Sequence, residues 1–457
     1  MLRKYSSFYS FRNASTLVSS LDGLNNRTNG DKLLTYSERF SKLYAQSAPE
    51  TRKTLFVDLV TNYGVNKEAL NHAISLYSKN DQMYPEVRTS ATATYVNLIK
   101  AIGNLPGGVA QVCEMRANIL VRNIKTADII NHFVQALLKR ETDKTTTSYL
   151  RHIELATREV LTSWFCLGNL KLERLTWSSP GDILQKVAEY EAVHPVRGLS
   201  DFRKRLGPLR RCFYFSHEAL PRNPLVMVHV ALVSEIADSV QEITKRGDPT
   251  GKEEDQTTAI YYSITSTQAG LSGIDLGNML IKKVATQLQK DVPSVTTHST
   301  LSPIPGFRPW LIRNLKGNSE YPSIMNEKVV EWMSEVSGSK MTETESTETL
   351  LKVISNEKTK KEQLNSIKHI LMYACAHYLC NAKRNGMALN SVANFHIRNG
   401  AELYRMNWNG DTSHRGINNS FGIMVNYRYD LDMVHENSAA YTERKQMKIN
   451  ENVSKFL

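Results

Sequence analysis

Four segments in the second half of the chain carry side chains whose types and spacing could do chemistry. The first, residues 266–278, reads Ser-Thr-Gln-Ala-Gly-Leu-Ser-Gly-Ile-Asp-Leu-Gly-Asn and lies between a predicted strand and a predicted helix. Glycines at such a junction let backbone N–H groups approach an anion, and the dipole of the following helix adds favourable potential. A pyrophosphate would fit, although a tight turn without a ligand explains the pattern about as well. No Gly-Lys-Ser/Thr follows, and the neighbouring strands look antiparallel, which disfavours a nucleoside-triphosphate loop and a dinucleotide fingerprint.

The second segment, residues 301–307, places Ser302 between a short extended stretch and a turn that contains Pro303 and Pro305. The two prolines restrict the backbone, so Ser302 would be held at a rigid strand end rather than on a mobile loop. A serine that caps a proline-stiffened turn is the structural alternative, and composition alone favours it. The segment does not read Gly-x-Ser-x-Gly, which disfavours the nucleophile elbow of a hydrolase.

The third segment, residues 394–401, contains His396 in a stretch that predicts a helix through residue 398, ended by Asn399-Gly400. An Asn-Gly hairpin turn is the competing interpretation. A lone histidine is more often structural than catalytic. The pattern alone does not favour His396 over three other histidines, namely His194, His229 and His377.

The fourth segment, residues 422–429, predicts a strand with aromatic and basic residues near its end, including Tyr429. Its structural alternative is a core strand with a polar rim.

The elements that must position these segments change character after the Ser-Pro-Gly sequence at residues 179–181. From about residue 31 to residue 177, apolar residues recur at helical spacing, which predicts an all-α bundle. This prediction includes one helix over residues 126–140 and another from residue 149 to about residue 175.

Strand signals dominate the region that follows. Residues 212–215 and 224–232, joined by a turn with two prolines, predict an antiparallel hairpin. The second half is therefore mixed α and β. Its remaining predicted elements are a strand over residues 259–267, a helix over 279–288, an extended stretch over 296–301, a solvated excursion rich in Ser, Thr, Glu and Lys over 337–363, and a helix over 364–380.

The composition limits the classes of partner. The 57 Lys and Arg residues outnumber the 45 Asp and Glu residues, and the sequence pI is near 9.3. This excess favours anionic partners, but the basic residues form no long stripe, which argues against a nucleic-acid surface. No apolar run approaches the ~20 residues needed to span a bilayer, so no membrane partner is expected. The five cysteines form no CxxC pair, so neither a zinc site nor a disulfide framework is expected in what we take to be a reducing compartment.

In order and spacing, the four segments resemble the malonyl-CoA decarboxylase family. The strings around Ser302 and His396 and the Asn-Tyr-Arg-Tyr sequence that ends at Tyr429 are distinctive. His194-Pro195 and residues 207–212 also look like family sequence. The resemblance is strong over residues 180–445 and looser over the helical half.

For the fold, the resemblance implies an α+β protein. An N-terminal all-α helical bundle, residues 22–178, would serve as an oligomerisation domain. Residues 179–457 would form a mixed α/β catalytic domain of N-acetyltransferase-like (GNAT) fold. The strand, glycine-rich turn and helix around residues 266–278 resemble the pyrophosphate-binding segment of that superfamily, whose ligand is acyl-CoA. A homo-oligomer is expected, and the family implies a tetramer.

For the activity, the resemblance implies a carboxy-lyase that converts malonyl-CoA to acetyl-CoA and CO2 in fatty-acid metabolism, with neither a metal nor another cofactor. Ser302 and His396 would be the catalytic pair, and Tyr429 and Asp275 would support them. Asp275 stands where a glutamate is expected, so the shorter acid would need a water to make the same contact. The residues implied to bind the CoA phosphates are Ser272, Gly273, Ile274, Asp275, Leu276, Gly277 and Asn278. Some family members carry an inter-subunit disulfide near the domain junction, but residues 181–190 contain no cysteine.

For location, residues 1–21 contain three basic residues, repeated serines and no acid, which is the composition of a mitochondrial transit peptide. An ordinary disordered basic terminus is the alternative. Together with the resemblance, this segment predicts the mitochondrial matrix, with cytosolic or peroxisomal pools in addition. The C-terminal Ser-Lys-Phe-Leu differs from the peroxisomal Ser-Lys-Leu signal by the interrupting Phe456.

Loss of CO2 from a malonyl thioester leaves an enolate, so catalysis requires that this oxyanion be stabilised and then protonated. The hypothesis is that Ser302 holds the substrate carboxylate and that His396 delivers the proton to the enolate carbon. A histidine that titrates near neutrality suits a donor that must be recharged in each turnover.

Two other functions compete with decarboxylation. An acyl-CoA-dependent N-acyltransferase of the same fold would need an acceptor amine and a base, and the sequence offers no obvious base. A helical nucleic-acid-binding or scaffold protein would suit the positive charge, but the absence of an internal repeat argues against it.

Overall fold

The computed structural model describes residues 19–25, 28–120, 144–244, 251–356 and 361–457. The predicted helix over residues 126–140 and most of the targeting segment lie outside them. The chain divides into two compact units. The first contains the described residues up to Glu173 together with Phe215–Val226 and Ser266–Leu276, and the second contains Arg174–Tyr214, Met227–Thr265 and Gly277–Leu457.

The first unit is mainly helical, as the spacing of its apolar residues predicts. Asn29 caps the first helix by accepting a hydrogen bond from the Lys32 N–H at 3.1 Å. Phe40 and Tyr44, one turn apart on that helix, stack with ring centroids 6.1 Å apart and are fully buried. The helices are α1 Gly30–Gln46, α2 Pro49–Asn62, α3 Lys67–Tyr77, α4 Tyr84–Ala91, α5 Thr94–Gly103, α6 Gly108–Leu120 and α7 Lys144–Trp164.

The helix predicted to run from residue 149 to about residue 175 is too long. Helix α7 ends at Trp164, and Lys171–Leu175 form strand β1 at the edge of a sheet. The side chains of Lys-Leu-Glu-Arg-Leu all suit a helix, so pairing with a neighbouring strand overrides their local preference.

The other strands are β2 Arg210–Ser216, β3 Val226–Val233, β4 Thr258–Ser266, β5 Thr297–Thr300, β6 Ser302–Pro303, β7 Lys383–Arg384, β8 Met387–Ala388, β9 Glu402–Asn407 and β10 Met424–Tyr429. The main sheet is mixed, with the order β1-β2-β3-β4-β5-β10-β6 and β9 paired to β10, and β7 and β8 form a separate two-stranded sheet. The predicted hairpin is confirmed, because β2 and β3 pair antiparallel with Cys212 opposite His229. Strand β10 pairs antiparallel with β5, β6 and β9.

The expectation that the strands around residues 266–278 are antiparallel is wrong. Strands β4 and β5 run parallel, with Thr258 opposite Thr297, and the 16-residue helix Leu276–Asp291 connects them. Two parallel strands need such a crossover connection. The direction of β5 could not be predicted from its own sequence, because the strand has only four residues. The glycine-rich segment therefore lies at a strand-to-helix junction inside a β-α-β unit.

The second unit packs helices against this sheet. One apolar cluster, which includes Leu175, Val187, Phe202 and Met227, consists of buried residues with at most 8% of their surface exposed. The helices of the second unit are α8 Gly181–Tyr190, α9 Leu199–Arg205, α10 Val240–Ile243, α11 Leu276–Asp291, α12 Phe307–Leu315, α13 Glu327–Ser337, α14 Glu343–Ser355, α15 Lys361–Ser366, α16 Lys368–Cys380, α17 Ser391–Arg398, α18 His414–Ser420, α19 Val434–Arg444 and α20 Glu451–Ser454.

The stretch predicted as a solvated excursion is largely helical. Thr342 and Glu345 form a capping box that starts α14, which then buries Leu350 and Ile354 completely. Most of its polar residues face outward, and Leu350 and Ile354 supply the apolar contacts of the helix. Among the residues that the structure describes, no helix combines the length and apolar character needed to cross a bilayer.

His298 on β5 is one of several buried histidines, with 1% of its surface exposed. Its Nδ1 lies 3.0 Å from the Tyr261 hydroxyl, and burial lowers its pKa to about 4. The folded protein thus disfavours the proton that an unfolded chain binds below about pH 6.5. The contribution of His298 to the free energy of unfolding is largest above pH 6.5, decreases as the pH drops toward 4, and decreases no further below that value.

Replacing His298 by glutamine should therefore reduce the acid sensitivity of the fold. Between pH 7 and pH 5 the wild-type protein should lose about 2 kcal/mol more unfolding free energy than H298Q loses. Urea unfolding at both pH values and at one protein concentration measures this difference, with the exposed His435→Gln as the matched control. Equal losses in H298Q and the wild type would contradict the expectation.

Candidate active site

Ser302 is the first residue of strand β6, two residues after the end of β5. Strand β6 pairs with β10 so that Ser302 is opposite Val425. Its side chain is buried, with 5% of the residue exposed. The prolines that follow turn the chain toward α12, so Ser302 stands at a fixed strand position, as the sequence predicts.

His396 belongs to α17, a helix with well-defined ends. Asn390 caps its start by accepting a hydrogen bond from the Ala393 N–H at 2.8 Å. The helix ends at Arg398 and is followed by Asn399 and Gly400, and the φ of +89° at Gly400 and its close approach to the Val434 carbonyl leave no room for a side chain. The prediction of a helix ended by Asn-Gly is therefore confirmed, and the hairpin alternative is wrong.

The structure brings Ser302, His396 and Tyr429 into one chain of hydrogen bonds. His396 Nε2 lies 3.2 Å from Ser302 Oγ, and its Nδ1 lies 2.8 Å from the Tyr429 hydroxyl. The ring of Tyr427 stacks against the imidazole at 4.6 Å between centroids. The imidazole is thus fixed on both nitrogens and on one face before any substrate binds.

Thr300 also belongs to this chain of hydrogen bonds, although it is not among the predicted site residues. Its Oγ1 accepts hydrogen bonds from the Ser302 hydroxyl at 2.9 Å and from the Tyr427 N–H at 3.1 Å. Since Ser302 donates to Thr300, its oxygen can accept from His396 Nε2–H, and Nδ1 then accepts from the Tyr429 hydroxyl. The spacing could have revealed Thr300, because residues two apart on an extended chain share a face.

The side chain of Asn426 holds the backbone of Thr300 in place through a buried hydrogen bond. The side chain is fully buried, and its Nδ2 donates to the Thr300 carbonyl at 2.7 Å and to the Ala237 carbonyl at 3.0 Å. Its Oδ1 accepts from Asn407 Nδ2 at 2.7 Å and from Arg405 Nε at 3.2 Å. The Asn426 amide, near the middle of β10, is therefore fully hydrogen-bonded inside the protein, whereas Arg428 near the end of the strand stays partly exposed.

A second link joins the turn after Ser302 to the helix of His396. Asn390 Nδ2 donates to the Pro305 carbonyl at 2.9 Å while Asn390 Oδ1 caps α17. The Tyr378 hydroxyl donates to the same carbonyl at 3.0 Å. The separation of Ser302 and His396 is thus maintained by contacts outside the pair itself.

Burial lowers the pKa of His396 to about 3. The expectation that this histidine titrates near neutrality is therefore wrong for the ligand-free protein. An imidazole with 3% exposure has lost most of the water that would stabilise its charged form, and the hydroxyls that contact it carry no charge. His396 is therefore neutral at pH 7 in the ligand-free protein.

The other three histidines lie in different surroundings. His194 and His229 lie near Glu191, whose carboxylate accepts from the backbone N–H of His194 at 2.9 Å and approaches the ring Nε2 of His229 at 3.4 Å. His377 on α16 lies against Tyr373 with 4.5 Å between ring centroids. Of these candidates, His396 is the one that the structure brings to Ser302.

The glycine-rich segment, residues 266–278, contains a short 3-10 turn, Ala269–Leu271. Gly273 adopts a φ of +76°, and helix α11 begins at Leu276. A Cβ atom on Gly277 would lie 3.0 Å from the ring of Phe395, the residue before His396, so the first turn of α11 packs closely against α17. Asp275 belongs to the first unit, whereas Gly277, Ser302, His396 and Tyr429 belong to the second.

Replacing Thr300 by valine should lower kcat roughly tenfold and the unfolding free energy by about 1–3 kcal/mol. Valine fills the same space but leaves the Tyr427 N–H without its partner and frees the Ser302 hydroxyl to turn toward His396. Steady-state kinetics and urea unfolding measure the two effects. Thr300→Ser keeps the hydroxyl and should stay within about twofold of the wild-type rate, and a T300V enzyme with native kcat would argue against this function of Thr300.

Comparison with known proteins gives a consistent result over most of the chain. Residues 168–457 match the family model of the malonyl-CoA decarboxylase C-terminal domain, and residues 63–165 match that of the N-terminal domain. The mitochondrial malonyl-CoA decarboxylase of Anser anser anser is 42% identical over 380 residues, which are 82% of this chain and 72% of that protein. That of Rattus norvegicus is 39% identical over 379 residues, 81% of this chain and 73% of the relative.

Solved structures agree with the sequence comparison. The malonyl-CoA decarboxylase of Rhodopseudomonas palustris superposes with a TM-score of 0.76 at 29% identity, covering 98% of both chains. The enzyme from Agrobacterium vitis gives 0.77 at 25% identity, covering 97% of this chain and 98% of the other. The two family models together span most of the sequence, including Ser302, His396 and Tyr429. The chain therefore belongs to the malonyl-CoA decarboxylase family.

Proposed function

We infer that this protein is a carboxy-lyase that converts malonyl-CoA to acetyl-CoA and CO2. The observation that carries this conclusion is the contact of Ser302 with His396, in a chain that belongs to this family over both of its domains. No chemical step of the reaction requires a redox group, because the thioester itself accepts the electron pair that CO2 leaves behind.

We propose that the substrate carboxylate binds beside Ser302 and His396. Its negative charge raises the pKa of the imidazole above the value in the free protein, so His396 takes up a proton as the substrate binds. The carbon–carbon bond then breaks, CO2 leaves, and the electron pair forms the thioester enolate. His396 Nε2 transfers its proton to the enolate carbon, which yields acetyl-CoA and returns the histidine to its neutral form.

Tyr429 and Thr300 position the two reacting groups in this proposal. The Tyr429 hydroxyl holds Nδ1 and so presents Nε2 to the substrate. In the free protein Thr300 Oγ1 accepts a hydrogen bond from the Ser302 hydroxyl, and this hydroxyl turns to donate to the substrate carboxylate when the substrate binds. Both side chains occupy the same buried network, so little reorganisation accompanies the change of charge on the imidazole.

We further propose that the CoA moiety binds along the β4–α11 junction, through Ser272, Gly273, Ile274, Asp275, Leu276, Gly277 and Asn278. The positive φ of Gly273 and the helix that starts at Leu276 support this placement, since both favour an anion. The parallel β4 and β5 strands around this junction are compatible with an N-acetyltransferase-like catalytic domain over residues 179–457.

The assembly and location proposed for the protein are those that the family implies. Residues 22–178 would form the oligomerisation domain of a homotetramer, and residues 1–21 would direct the protein to the mitochondrial matrix. Curated relatives that carry the word mitochondrial in their names support this location.

Incubating the purified protein with malonyl-CoA and no acceptor amine tests the proposed function. We expect stoichiometric acetyl-CoA and CO2. An acyltransferase of the same fold would release neither product without an acceptor, and a protein that leaves malonyl-CoA intact with and without amines would contradict both functions.

A further inference from the structure

The glycine-rich segment is held by arginines of the helical unit. Arg116 on α6 is buried, with 2% of its surface exposed, and its Nη1 donates to the Gly270 carbonyl at 2.6 Å. Arg158 on α7 donates from Nη2 to the Gly273 carbonyl at 3.0 Å. Both contacts lie within the first compact unit.

Close packing fixes the same segment. A side chain on Gly270 would overlap the backbone of Cys113 on α6, so the turn lies directly on that helix. The guanidinium carbon of Arg158 lies 4.0 Å from the position that a Cβ of Gly273 would occupy. Arg158 therefore stands immediately beside the residue whose φ of +76° shapes the turn.

The two arginines differ in how their charge is balanced. Arg116 Nη2 donates to the Glu154 carboxylate at 2.6 Å, and burial lowers the pKa of the Arg116 guanidinium. Arg158 is exposed to solvent, and no carboxylate among the described residues pairs with it. Its guanidinium uses one N–H group on Gly273 and keeps four others for a ligand.

We propose that Arg158 binds a phosphate group of the CoA moiety and thereby contributes to substrate specificity from the helical half of the chain. The proposal rests on the proposed function, because it assumes that the glycine-rich segment receives malonyl-CoA. An exposed guanidinium beside a glycine turn combines charge with several donors, which is the chemistry that recognises a phosphate. Arg116 keeps the turn in place beneath it.

Three substrates separate this function from a merely structural one. Malonyl-CoA carries the ribose 3′-phosphate and the pyrophosphate, malonyl-3′-dephospho-CoA carries the pyrophosphate alone, and malonyl-pantetheine carries no phosphate. Arg158→Ala should raise the KM for malonyl-CoA roughly tenfold with a nearly unchanged kcat. The kcat/KM for malonyl-pantetheine should stay within about twofold of the wild-type value. Arg151→Ala, which removes an exposed arginine two turns earlier on the same helix, is the matched control and should leave all three substrates unaffected.

The dephosphorylated substrate identifies the phosphate. If R158A affects malonyl-CoA but not malonyl-3′-dephospho-CoA, Arg158 contacts the 3′-phosphate, and if it affects both, Arg158 contacts the pyrophosphate. An equal loss with malonyl-pantetheine, or no change with any substrate, would overturn the proposal. Failure of the proposed function would look different, because the wild-type protein itself would release no CO2 from malonyl-CoA.

Discussion

His396→Asn should lower the kcat of malonyl-CoA decarboxylation by about three orders of magnitude while the protein stays folded. General acid catalysis by a positioned side chain contributes roughly 10²–10⁴-fold, and asparagine can donate a hydrogen bond but cannot transfer a proton to carbon. The amide still fits between Ser302 and Tyr427. Release of CO2 under substrate saturation measures the loss, and thermal unfolding and CoA binding should remain near wild-type values.

His377→Asn provides the matched control for that experiment. This histidine is half-buried on α16, and its Nδ1 contacts Asn381 rather than any residue of the site. Its replacement should leave kcat unchanged. A His396→Asn protein that decarboxylates at a near-native rate would show that the enolate receives its proton from another donor.

Ser302→Ala should lower kcat by about 10²–10³-fold, the range found when a preorganised donor is removed from a reacting oxygen. The variant loses the hydroxyl proposed to hold the substrate carboxylate, so KM should rise as well. Steady-state kinetics give both parameters. Ser420→Ala removes another buried serine, whose Oγ donates to the Ile423 carbonyl, and should leave both parameters near the wild-type values.

The double variant separates two functions for Ser302. If Ser302 and His396 act as one unit, Ser302→Ala in the His396→Asn background should cost little more than His396→Asn alone. Fully additive effects would mean that Ser302 binds the carboxylate independently of the proton transfer. A Ser302→Ala enzyme with native kcat and KM would remove the serine from the proposed mechanism.

Local signals in the sequence predict many elements of the fold. The hairpin of β2 and β3 follows from two strand-like runs on either side of a proline turn, and the end of α17 follows from Asn399-Gly400. In both cases the information lies within a few residues of the element. The end of α7 and the strand at Lys171–Leu175 could not be predicted in this way, because pairing in the sheet decides between helix and strand for residues that suit either.

The features of the site also divide into those that the sequence indicates and those that depend on tertiary contacts. Family resemblance identifies Ser302, His396 and Tyr429, and the structure places them in contact. Thr300 was missed, although its spacing of two residues from Ser302 on an extended stretch places both side chains on one face. The pKa of His396 could not be read from the sequence, because it depends on the water excluded by Tyr427 and its neighbours.

Asn390 has a consequence for the motions of the protein. Its side chain joins the carbonyl of Pro305 to the first turn of the helix that carries His396. The loop that follows Ser302 cannot detach without uncapping α17, and α17 cannot fray from its start without releasing that loop. In native-state hydrogen exchange, the Ala393 N–H and the amides of α12, which begins directly after that turn, should therefore open together. We expect Ser302 and His396 to belong to one cooperative unit of local unfolding.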